Sequence, residues 1–130
     1  MKTINIKGKE YVPVVERVKE FHRLYPEGSI TTVVQSNDEK RVIVQATVKI
    51  PLYKKELAVI VDVKTFTGFS QAEWGKGMMG GVALEVAETS AIGRALGFAG
   101  IGLLDGIASA DEMRKVSKPK SDGYVEELGF

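Results

Sequence analysis

Residues 82–109 read VALEVAETSAIGRALGFAGIGLLDGIAS, and alanine recurs there at positions 83, 87, 91, 95 and 99. A spacing of four stacks those side chains along one face of a helix. A stripe of methyl groups lets another backbone come close, so this helix is built to lie tightly on a neighbouring element. One basic residue, Arg94, sits among the alanines. Gly97, Gly100 and Gly102 follow, where a regular helix stops. The rest of the chain has to supply the surface that this helix covers.

Residues 29–66 supply it as three strands. The first spans 29–36, and Asn37-Asp38 makes the turn. The second, 41–50, alternates with Val42, Val44, Ala46, Val48 and Ile50 on one face, and with Arg41, Gln45, Thr47 and Lys49 on the other. Residues 51–55 connect to the third strand, 56–66, whose Leu57, Val59, Val61 and Val63 predict the face turned to the helix. Asp62 and Lys64 fall on its opposite side. Short connections argue for an antiparallel meander.

Upstream, residues 11–25 predict a helix with Val14, Val18, Phe21 and Tyr25 as an apolar stripe. Pro13 suits its first turn, and Pro26 with Gly28 ends it. The fold class is α+β: helix, three-stranded antiparallel meander, small-residue helix packed on the sheet, then a short helix and a tail, with the helices on one side. Residues 1–117 form one domain and 118–130 a flexible acidic tail ending YVEELGF. Ser109 and Glu112 have the spacing of a capping box, opening a helix that runs to about Val116. Residues 67–81, TGFSQAEWGKGMMGG, read as a mobile loop with five glycines, Phe69, Trp74 and Lys76. Trp74 and Met78 either bind from that loop or fold back onto the core.

Composition narrows the function. With 130 residues there is room for one modest core, and with no cysteine there are no disulfides, thiolate nucleophiles or cysteine-held zinc sites. No leader or membrane-spanning run is evident, which predicts a cytoplasmic protein. The net charge is +1, but residues 1–64 hold 12 Lys/Arg against 8 Asp/Glu. A basic half can bind polyanions when its cations share a face. His22 is the lone histidine and is expected on the surface of the first helix. There is no nucleophile elbow, phosphate loop or dinucleotide fingerprint, and no cofactor is implied. The expectation is a binding protein rather than an enzyme.

Binding an unpaired nucleic-acid strand takes cations that track phosphates and flat rings on which bases stack. The candidates are Arg41, Lys49 and Lys64 on strands, Lys54 and Lys55 at a turn, Phe69, Trp74 and Lys76 in the loop, and Arg94 on the helix.

The segment ETSAIGRALGFAGIG at 88–102, with GIASADEM at 106–113, resembles a block in small bacteriophage early proteins. The first helix and the run from Tyr25 to Thr32 resemble the same chains, so the likeness covers about residues 8–116. That family is one of phage single-stranded-DNA-binding or recombination proteins. More distantly, strands followed by a helix with RALG resemble the single-strand annealing superfamily, which includes the Erf, Sak and Red-beta proteins. The resemblance implies an oligomeric ring or filament, single-stranded DNA as partner, and a role in strand annealing. It also implies that Arg94 faces the DNA, and that the first β-turn and basic strand residues form a groove wall. Annealing proteins carry two or three cations on that helix; here Arg94 stands with Glu85 and Glu88. The tail resembles those through which single-strand binders recruit replication or recombination proteins.

Three other readings compete. A small β-barrel single-strand binder needs about five strands. A metal-dependent nuclease would use Asp62, Glu73, Glu85 and Glu88. A protein-interaction module would use Trp74 as an apolar anchor.

Overall fold

A computed structural model describes residues 1–75 and 80–102 of the chain. A short hairpin opens it: β1 (Ile4–Ile6) pairs antiparallel with β2 (Lys9–Tyr11). Its turn places Lys7 at φ 51° and Gly8 at φ 84°, and the Asn5 side chain accepts a bond from the Gly8 amide. Two consecutive left-handed residues match the right-handed twist of a hairpin.

Helix α1 (Val14–Leu24) begins three residues later and ends one residue earlier than the expected 11–25. Pro13 stands just before it with an extended ψ of 151°, and its carbonyl accepts from the Glu16 and Arg17 amides. Val14 and Phe21 are buried, and Val18 and Tyr25 pack against the core. His22 is exposed, as expected.

Strands β3 (Ser29–Asn37), β4 (Arg41–Lys54) and β5 (Val59–Glu73) form an antiparallel sheet in the order β3-β4-β5. The β3–β4 turn is held by Asp38, whose carboxylate accepts from the Lys40 and Arg41 amides at 2.8 and 2.9 Å. Those two bonds hold the Asp38 carboxyl below its ordinary pKa. The alternation of β4 is as predicted: Val42, Val44, Ala46, Val48 and Ile50 are buried. The strand continues through Pro51 to Lys54, so the turn falls at 55–58 rather than at 51–55. Among the described residues the strands lie in two separate sheets and close no barrel.

Strand β5 departs most from expectation. It begins at Val59 and runs on to Glu73, so residues 67–73 are strand and not loop. The predicted inner face is wrong as well. Leu57, Val59, Val61 and Val63 are 44–64% exposed, and the face turned to the helix carries Phe66, Gly68, Ser70 and Ala72. Pairing with β4 sets this, since Val48 stands opposite Phe66, Ala46 opposite Gly68 and Val44 opposite Ser70.

Helix α2 (Ala83–Phe98) lies on that face, with Ala83, Ala87, Ala91 and Ala95 fully buried. It crosses β5 at Gly68. A Cβ there would stand 2.5 Å from the Ala95 amide nitrogen and 2.7 Å from the Ala91 carbonyl oxygen, so only glycine fits. The helix ends as its glycines predict: the Gly100 amide bonds to the Gly97 carbonyl and the Ile101 amide to the Leu96 carbonyl, with Gly100 at φ 83°. Leu96 and Ile101 are both buried beneath this cap.

The two helices are tied by Arg17, which is 2% exposed and donates from Nη1 to the Gly93 carbonyl at 3.0 Å. Gly102, at φ 75°, lies against the Arg17 stem, where a Cβ would come within 2.8 Å of Cγ. The predicted capping box, last helix and tail lie outside the described residues.

Candidate nucleic-acid interface

Both helices cover one face of the sheet, and the alternation of the strands fixes what the other face shows. Across it run cross-strand rows: Ser29, Lys49 and Thr65; Thr31, Thr47 and Thr67; Val33, Gln45 and Phe69; and, at the far end, Arg41 opposite Glu73. Phe69 is 53% exposed and Val33 56%. Gln45 accepts from Gln35 at 2.6 Å, which fixes its amide beside the Phe69 row. Gln45 stands four residues from Arg41 and four from Lys49. At about 3.4 Å per residue, a cation lies roughly 14 Å along the strand on either side of the aromatic row.

Arg41, Lys49 and Phe69 therefore share one face. The other candidates divide. Lys54 and Lys55 are exposed at the end of the β4–β5 hairpin. Lys64 pairs with the buried Ile50 and so belongs to the helix side of the sheet. Arg94 is half-buried on α2, and its Cβ would lie 2.9 Å from a Cβ at Gly68, so it stands on the helix side too. Lys76 lies outside the described residues. Trp74 does fold back: it packs against the core, its indole donates to the Asn37 side chain at 3.0 Å, and its amide donates to the Lys40 carbonyl at 2.9 Å. It clips the end of β5 to the β3–β4 turn.

Gln45 and Thr47 fall on this face from the alternation of β4 alone, whereas Thr31, Val33 and Thr67 join it only through strand pairing, which composition does not reveal. Arg17 was not among the expected functional residues. Its signal was position: it lies within the apolar stripe, between Val14 and Val18.

The helices offer a less basic surface than their cations suggest. On α1, Lys19 pairs with Glu16 at 3.3 Å and Arg23 with Glu20 at 2.6 Å. The Lys19 bond holds Glu16 below its ordinary pKa, and the Arg23 bond does the same for Glu20. At the start of α2, where backbone amides favour an anion, the first turn holds Glu85. Glu88 accepts from the Thr32 hydroxyl at 2.7 Å. Asp62, Glu73, Glu85 and Glu88 do not gather: among the described residues no three His, Asp or Glu side chains stand close enough to hold a metal ion. Among them, too, no helix is long and apolar enough to cross a membrane.

The helix–three strands–helix order runs through the segment that a family model matches, residues 18–99, more than half of the chain. That family is described as Slr1353 N-terminal dsRNA-binding domain-like. The chain belongs to this family. The match takes in most of α1, all three sheet strands and α2, so it rests on the same core as the open sheet face. No curated protein and no solved structure matches the chain.

Proposed function

We propose that this chain is a nucleic-acid-binding domain that lays an unpaired strand across the open face of its sheet. The family's description, dsRNA-binding domain-like, supports nucleic acid as the partner class. The observation that carries the single-strand reading is Phe69, exposed between Arg41 and Lys49 on a face that neither helix covers. An exposed ring offers stacking worth about 1–3 kcal/mol per base, and flanking cations meet the backbone phosphates. Duplex binding depends more on phosphate contacts. The helices are poorly equipped for those, because α1 pairs Lys19 and Arg23 with its own carboxylates and α2 begins with Glu85.

The resemblance of 88–102 to phage early proteins supports a finer reading: a single-stranded-DNA-binding protein of phage recombination, promoting strand annealing as an oligomer. In that reading the chain binds and does not turn over a substrate. Bases stacked on one open face stay accessible to a complementary strand, which annealing requires.

The test is a fluorescence-anisotropy titration with labelled single-stranded DNA, single-stranded RNA and duplexes of each, at two salt concentrations. The expected result is salt-sensitive binding that favours the single strands. Preference for duplex RNA would overturn the single-strand reading, and no binding at low salt would overturn the nucleic-acid reading.

A further inference from the structure

β5 is the last strand of the sheet, and among the described residues no strand pairs with its outer edge. Its first half is VIVDVK, with Val59, Ile60, Val61 and Val63 between 44% and 57% exposed. A long apolar edge is a template for pairing with another chain. At its centre, the Val63 amide donates to the Asp62 carboxylate at 2.8 Å, and its ladder partner Pro51 has no amide to offer. That pattern belongs to a pair whose Val63 polar groups face the free edge.

We propose that the occupant of this edge is a second copy of the same chain, paired antiparallel about a two-fold axis at Val63. The charges on the strand select both the partner and the register. Asp62 and Lys64 flank Val63, so the two-fold places Asp62 of each copy opposite Lys64 of the other. Sliding by one step in either direction centres the axis on Asp62 or on Lys64 and sets like charges opposite each other. In the Val63 register Val63 meets Val63, and the regular pairing ends at the bulge where Val61 has no partner on β4. On a lone chain the two charges guard the edge against stray pairing. Only a strand with the complementary order of charges relieves them, and an antiparallel copy of this strand has it. A two-fold contact closes on itself and yields a dimer rather than a filament. This inference goes beyond the nucleic-acid reading and does not depend on it.

The test is sedimentation analysis of the full chain without nucleic acid, at low ionic strength. The parent is expected at twice its 14.2 kDa chain mass. Asp62→Lys and Lys64→Asp are each expected to dimerise roughly tenfold more weakly, since two favourable cross-strand pairs become two unfavourable ones. An equimolar mixture of the two variants is expected to recover the dimer, because one variant then presents two lysines to the two aspartates of the other. Circular dichroism reports whether each variant keeps the parent fold, which exposure of both sites favours. A parent that stays monomeric up to near-millimolar concentration would overturn the proposal. So would an assembly indifferent to both substitutions, or variants that lose association and fail to recover it when mixed.

Discussion

The two halves of β5 invert the usual link between hydrophobicity and burial. Residues 59–63, rich in valine and isoleucine, are exposed, whereas on the inward side of the second half Gly68 is buried beneath α2 and Ser70 and Ala72 are half-buried. The difference is one of distance between backbones. Where α2 crosses β5 the gap is too small for any Cβ at Gly68, so the chain buries area there through backbone contact and methyl groups. Where no helix lies, large side chains remain uncovered.

The covered half should therefore fail on added bulk. Gly68→Val has to push α2 off the sheet, because the atoms in its way are the helix backbone at Ala91 and Ala95. The expected loss is roughly 3 kcal/mol or more, lowering the melting temperature by roughly 10 °C in thermal unfolding followed by circular dichroism. Ala91→Leu is expected to cost about 1–3 kcal/mol for the same reason, read in the same melt. A midpoint equal to the parent's in either variant would show that the close approach does not exist.

Smaller effects are expected away from that crossing. Asp38 holds the β3–β4 turn with a lowered pKa. Its contribution is thus present above the ordinary aspartate range, near pH 4, and is lost as pH falls through its lowered value. Asp38→Ala is expected to remove that part of the acid dependence of melting while changing the neutral-pH midpoint only slightly. Leu57→Ser, at the bare end of the hairpin, is expected to stay within about 0.5 kcal/mol of the parent. A large loss there would mean that the arm is covered.

The same geometry explains what could be read from the chain. β4 was legible because both of its faces obey the alternation rule, with Val42 to Ile50 buried and Arg41 to Lys49 outside. The first helix and the start and end of α2 were legible from Phe21, the alanine repeat and the glycine exit. β5 was misread because the apolar content of 57–63 outweighs that of 66–72, and glycine and serine carry no mark of burial under a helix. The N-terminal hairpin was missed because strands of three residues leave little pattern. Of the candidate site, the residue types and the shared face of Arg41 and Lys49 were legible, and the grouping across strands was not. Cross-strand pairing puts Lys49 and Phe69 on the open face and Lys64 on the covered one, although all three lie within 21 residues of sequence.

The measurement that bears most directly on the open face is single-strand affinity of Phe69→Ala beside that of the parent, at equal salt. Phe69 is exposed, so its removal should leave the fold intact and weaken binding by about 1–3 kcal/mol. Lys49→Ala in the same assay should lower the salt slope by about one ion. Unchanged affinity in Phe69→Ala, with binding intact in the parent, would contradict the account and move the nucleic acid to another surface of the domain.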